Sequence, residues 1–259
     1  MTLLATIGQP HAPRPTAISH RDHSELRHTL TREPTRQLKF KCNGCLEEGT
    51  GGDRYTCKDC DFDLHEACNL QEGTTVVHPL LPDSTFQLLH KPPRSVERCS
   101  ACGTRVQGTH YHCADLYLHP CCALLPMEIE LSAHQVRFQL REQVSHCCTK
   151  CKTGGGLRDY WFYRSTSKDV YLHVGCARES ILQPSSSSTE SHSHVHGNTP
   201  SRVGRNVNGN VGRNLDNICD IIKALAGIVL AVLTCNPLPL IAAGIDLFSN
   251  VARLRTRGS

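Results

Sequence analysis

The stretch YTCKDCDFDLHEAC, residues 55–68, carries three cysteines and a histidine within fourteen positions. Thiols and an imidazole at those intervals serve a metal, a redox couple or a crosslinked scaffold, and the choice among them decides the fold. Outward from this stretch, the string Leu-His-x-x-Cys recurs as LHEAC at 64–68, LHPCC at 118–122 and LHVGC at 172–176. A Cys-x-x-Cys pair precedes each copy: Cys42/Cys45, Cys99/Cys102 and Cys148/Cys151. Successive copies lie 54 residues apart in both intervals. That regularity marks a repeat of small modules rather than one enzyme fold.

Composition points the same way. Of 259 residues only 5% are aromatic and 39% hydrophobic, so a large conventional core is not expected. The chain has sixteen cysteines, fourteen of them within residues 42–176, and sixteen histidines. Something besides apolar burial should therefore stabilise that region. The opening MTLLATIGQPHAPRP lacks the basic start and apolar run of a secretory leader. The expectation is a reducing compartment, where such clusters read first as metal sites. A net charge of +4 is too mild to argue for nucleic acid.

Zinc takes four ligands in a tetrahedron, and structural sites favour thiolate and imidazole. The first module offers Cys42/Cys45, Cys57/Cys60 and His65/Cys68, six donors where one site needs four. Adding His28 upstream and His78 downstream gives eight, enough for two ions. Spacing alone leaves the pairing of these dyads open. Locally, KFKC and RYTC read as short strands around the loop EEGTGGD, and each His-x-x-Cys suits one turn or a short helix.

HTLTREPTRQLKFKCNGC followed by RYTCKDCDFDLHEAC resembles the divergent C1 domain. That is a cysteine/histidine-rich zinc module repeated in many plant proteins and related to the diacylglycerol-binding module of protein kinase C. The resemblance implies interleaved ligands: Cys42, Cys45, His65 and Cys68 in one site, and Cys57, Cys60, His28 and His78 in the other. His20 and His23 compete with His28. His28 is favoured because His134 is separated from the first cysteine of the third module by the same thirteen intervening residues.

On the same pattern Cys99, Cys102, His119 and Cys122 complete a site in the second module, and Cys148, Cys151, His173 and Cys176 one in the third. Only Cys113 stands where the second module should have its middle pair, with His110, His112, His90 and His134 as further donors. The third has WFYRSTSKD there, so no second ion is expected, and Trp161, Phe162 and Tyr163 would fill the space. The cofactor expectation is four to five structural zinc ions. Cys121 and Cys147, beside ligand cysteines, read as small buried side chains, and Cys219 and Cys235 as packing in the tail.

The expected layout is small, mostly β, zinc-stabilised modules in tandem with an α-helical apolar tail. Residues 1–19 read as a disordered N-terminus. Three modules follow at 20–78 (two zinc), 79–127 (one, with a second in question) and 128–181 (one zinc). Residues 182–217, rich in Ser, Gly, Asn and His, read as a flexible linker, and HSHVHG within it as a polar tract. Residues 224–245 are uncharged and long enough to span a membrane, but Asn236-Pro237-Leu238-Pro239 would break such a helix. Two helices over 218–234 and 240–253 fit better, as a hairpin suited to a membrane surface or a protein interface.

The module loops LEEGTGGDRYT and GTRVQGTHYH are short and polar, which argues against diacylglycerol binding. The ligand spacing does not give a nucleic-acid-reading finger. No triad, phosphate loop or paired-carboxylate context supports an enzyme. The functional expectation is a zinc-binding interaction scaffold of intracellular signalling, of the stress or defence kind that the resemblance implies, its protein partners unknown. Its address would be cytoplasmic, with membrane-associated or nuclear as alternatives, and not secreted. The rivals are a thiol–disulfide oxidoreductase using the Cys-x-x-Cys pairs and a peripheral membrane protein acting through residues 218–259.

Overall fold

The computed structural model describes residues 15–19, 28–36, 38–142, 146–153, 160–182 and 209–235. Three antiparallel four-stranded sheets follow one another along the chain. In the first module β1 (Ala17–Ser19) and β2 (Thr29–Pro34) precede a separate hairpin of β3 (Lys39–Lys41) and β4 (Glu48–Thr50). Then β5 (Asp53–Cys57) and β6 (Phe62–His65) complete a sheet of order β1-β2-β5-β6.

The second sheet is built from β7 (Thr75–Val77), β8 (Thr85–Leu89), β9 (His110–Cys113) and β10 (Leu116–Leu118). The third uses β11 (Glu128–Leu131), β12 (Val136–Arg141), β13 (Phe162–Ser165) and β14 (Tyr171–His173). Strands such as TFQLL and VRFQLR alternate exposed and buried positions, so each sheet turns one face to the interior. Pairing of Thr75–Val77 with Thr85–Leu89 puts residues 75–78 in the second module, although the sequence reading ended the first at 78. The first module also reaches back to Ala17, ahead of residue 20.

The last strand of the first and third modules ends at the histidine, and that of the second one residue before it. A 3-10 turn, Glu66–Cys68 or Cys122–Leu124, then carries the final cysteine in the first two modules, and α1 (Val174–Leu182) does so in the third. The modules dock head to tail by one repeated contact. The Thr109 N–H, just before β9, donates to the Gly44 carbonyl in the first Cys-x-x-Cys turn at 2.8 Å. The Trp161 N–H, just before β13, donates to the Ala101 carbonyl in the second turn at 3.2 Å. Gly108 permits the first approach, since a Cβ there would collide with the Gly44 carbonyl. In the third turn the matching residue is the exposed Lys150, whose Nζ donates to the Cys176 carbonyl at 2.8 Å.

The first module keeps a small core of its own around Leu30, Tyr55 and Leu64. The second and third share one with the C-terminal helix, α2 (Gly209–Leu233), so the expectation of little core fits the first module better than the other two. Ile221, Leu225, Val229 and Val232 recur at helical spacing and are buried against α1, β11 and the Cys122–Leu124 turn. Trp161 and Tyr163 enter this shared core, and the Tyr163 hydroxyl donates to the Pro126 carbonyl at 2.7 Å.

The helix starts at Gly209, inside the stretch read as linker. Packing of its apolar stripe sustains a helix that local composition alone would not. No helix among the described residues is long and apolar enough to cross a membrane. The second predicted tail helix, 240–253, and the HSHVHG tract lie outside the described residues.

The tail is also tied covalently. Cys121 and Cys235, both read as packing, form a disulfide across 114 residues of sequence. On the loop-entropy model a crosslink of that span stabilises by about 4–5 kcal/mol. Cys147 and Cys219 are exposed, not buried as the sequence suggests. Truncation of the fully buried Leu225 to alanine should destabilise the chain by about 2–5 kcal/mol, read as a lowered denaturation midpoint of the zinc-loaded protein.

Candidate metal centres

The three Cys-x-x-Cys turns are built alike. In each, the first cysteine N–H donates to the carbonyl five residues on: Cys42 to Glu47 (3.0 Å), Cys99 to Thr104 (2.9 Å), Cys148 to Thr153 (2.9 Å). The N–H of the residue after the second cysteine returns to the first cysteine's carbonyl, from Leu46, Gly103 and Lys152 at 2.8–2.9 Å. Those three residues take left-handed backbone angles, φ 63°, 77° and 60°. For a leucine or lysine that costs about 1–2 kcal/mol, which the ring of hydrogen bonds offsets. A further bond ties each turn to the last strand: Asn43 to Asp63, Ser100 to Tyr117 and Thr149 to Tyr171, at 2.7–2.8 Å.

This frame brings three sets of four donors together: Cys42, Cys45, His65, Cys68; Cys99, Cys102, His119, Cys122; and Cys148, Cys151, His173, Cys176. Within each set all ligand atoms lie within 4.8 Å of one another. The histidine Nδ1 faces the sulfurs: Cys45 at 3.4 Å and Cys68 at 3.8 Å from His65, Cys102 at 3.4 Å and Cys122 at 3.8 Å from His119. In the third set Cys151 stands 3.5 Å and Cys176 3.7 Å from His173. Zinc bond lengths of about 2.3 Å to sulfur and about 2.0–2.1 Å to nitrogen place tetrahedral ligands about 3.6 Å apart, so the donors fit that ion.

The electrostatics agree. Burial opposes a charge on His65, but hydrogen bonds and attraction from Cys42 and Cys45 push its ring up to about 10. His119 is raised well above the usual range, attraction to Cys99 and Cys102 outweighing its burial. The Cys148 thiol is drawn down to about 2, chiefly by its hydrogen bond with Cys176. In each cluster one thiol, Cys42, Cys99 or Cys148, is drawn down, while its hydrogen bonding and charge push the last cysteine, Cys68, Cys122 or Cys176, up, so that without a cation the crowded sulfurs hold one thiolate beside a charged imidazole.

A fourth group gathers His28, Cys57 and Cys60. His78, the partner that the resemblance implied for it, is elsewhere. Its Nδ1 accepts from the Leu80 N–H at 3.1 Å, its Nε2 donates to the Leu125 carbonyl at 3.0 Å, and the ring lies 4.5 Å from Trp161. Both ring nitrogens are engaged, which removes His78 from the ligand set: it is a core histidine of the second sheet. His20 and His23 lie outside the described residues. No metal-capable group among the described residues includes Cys113, His110, His112, His90 or His134, and the His110 Nδ1 is held by the Gly108 carbonyl at 2.9 Å.

Ligand spacing does not mark Glu47 as a site residue. This buried carboxylate leaves the first turn and places Oε1 3.1 Å from the His119 Nε2, the side of the ring away from the cysteines. Its other oxygen pairs with Arg178 of α1, and Arg178 also donates to the Thr104 hydroxyl at 3.1 Å.

Residues 19–69 match the C1 domain family, and with the Cys/His clusters this makes the first module a C1-type zinc domain. The chain is also similar to a protein of Arabidopsis thaliana named "Probable nucleoredoxin 1", 45% identical over 60 residues. That match covers 23% of this chain and 10% of the relative, so the chain spans about a tenth of that protein's length. No solved structure matches.

Two outcomes follow from the geometry. The first and second tetrads are fully buried, whereas Cys151 is exposed and His173 and Cys176 partly so. Under excess chelator and a thiol-alkylating reagent, Cys148, Cys151 and Cys176 should be modified before the other two sets, read peptide by peptide by mass spectrometry.

The second concerns pH. Burial, opposed by the bond to Leu125, lowers the His78 ring from 6.5 to about 4. An unfolded chain protonates this ring below about 6.5, and the folded chain resists until about 4. The stability His78 contributes is therefore whole above 6.5 and declines as pH falls between those values. Denaturation curves across that range should be flatter in pH for His78→Gln than for wild type.

Proposed function

We propose that this chain is a zinc-stabilised interaction scaffold: three C1-type modules of the divergent, plant kind, stiffened by four structural ions and clamped by the C-terminal helix. The observation that carries the reading is the closure of the three tetrads. Each has three sulfurs and one imidazole, four protein donors and no position left for a substrate, as in structural rather than catalytic zinc sites. Three of the ions belong to those sets and the fourth to His28, Cys57 and Cys60. The metal's role is folding, most of all in the first module, whose own core is small. Recognition of protein partners within intracellular signalling, in stress or defence, is the setting that the resemblance supports. Burial of the α2 stripe against the modules favours a clamp over a membrane anchor.

A thiol–disulfide oxidoreductase is the second reading, favoured by the similarity to a protein named as a nucleoredoxin. It is disfavoured because every Cys-x-x-Cys sulfur of the tetrads is grouped with a histidine and a further cysteine. Metal content and free thiols, measured together on the purified chain, separate the two. The scaffold predicts about four zinc per chain, protected ligand thiols, and loss of the folded signature on chelation. Substoichiometric metal with a readily cycling dithiol would overturn it.

A further inference from the structure

His119 turns one ring nitrogen to Cys102 and Cys122 and the other to Glu47. When a metal occupies Nδ1, Nε2 must carry the proton, and a buried N–H needs an acceptor. Glu47 supplies one at 3.1 Å, ahead of the Arg105 carbonyl at 3.3 Å. The acceptor comes from another module, since the Glu47 carbonyl holds the Cys42 N–H in the first turn. Arg178, from the third module, neutralises the carboxylate, which would otherwise be a costly buried charge. The first tetrad has no such partner: the His65 Nε2 is buried without a hydrogen bond among the described residues.

We propose that Glu47 is a positioning residue for the second metal centre, an outer-sphere carboxylate through which the first and third modules set how tightly the second holds its ion. The proposal rests on the zinc reading above. Removal of such an outer partner typically loosens a metal by about 10-fold to 100-fold. The effect should be confined to one centre, because Glu47 meets the ligand ring of the second alone among the described residues.

The test uses the zinc-loaded full chain, excess chelator and N-ethylmaleimide, with each cysteine followed by peptide mass spectrometry. In Glu47→Gln, Cys99, Cys102 and Cys122 should be modified about 10-fold faster or more, while Cys148, Cys151 and Cys176 keep their wild-type rates. Unchanged rates at Cys99, Cys102 and Cys122, or equal acceleration at all three tetrads, would overturn the proposal. His119→Cys keeps a zinc ligand but removes the second nitrogen, so Glu47→Gln should add no acceleration in that background. Further acceleration there would show that Glu47 acts by packing alone. Should the variants fail to fold, imidazole NMR of the wild-type protein decides: a hydrogen-bonded proton on the His119 Nε2 supports the proposal, and its absence from that nitrogen overturns it. Wild-type thiols that react at once without chelator would instead sink the zinc reading itself.

Discussion

The structure depends on a six-residue turn in which two thiols are aimed at one point. Backbone bonds from Cys42 to Glu47, Cys99 to Thr104 and Cys148 to Thr153 close that turn in each module. The left-handed residue after the second cysteine and the tie to the last strand fix its position against the histidine. A short β-meander is marginal by itself in water. With two thiolates on the turn and a His-x-x-Cys at the end of the sheet, a metal joins the two ends of the module and does much of what a larger interior would do.

The same turn is also the contact between modules. Its third residue lends a carbonyl to the strand that opens the next site, from Gly44 to Thr109 and from Ala101 to Trp161. Metal-site geometry and intermodule geometry are therefore not independent: whatever fixes the turn fixes the neighbour. The helix α2 and the Cys121–Cys235 link lie across this series and tie its end back to the second module, near the first. The Thr50 N–H meets the Thr234 carbonyl at 3.5 Å, so the helix end reaches the first module directly.

Much of the site could be read in the sequence because its signal is local and periodic. Leu-His-x-x-Cys and Cys-x-x-Cys are short strings, and the geometry they impose does not depend on distant residues. What escaped was set by tertiary contact. His78 looks like a ligand in a linear count, yet its neighbours are Leu80 and Leu125 of the second module and Trp161 of the third. Glu47 looks like one acid in a polar loop until His119 and Arg178 close around it. Cys121 sits beside a ligand cysteine, and only the fold brings it to Cys235. Residues 209–217 are too polar to announce a helix, which the apolar stripe after Ile218 propagates.

Head-to-tail stacking that uses a different face on each partner has no natural end, and a surface of that kind left open invites fibres. Gly44 and Ala101 are small enough for their carbonyls to be approached; Lys150, at the same place in the final turn, is long, charged and folded back onto the Cys176 carbonyl. Repeat arrays stay soluble when their outermost unit carries a polar lid. The third turn therefore presents a long charged side chain, tied to its own module, where the first two present a small residue and an approachable carbonyl.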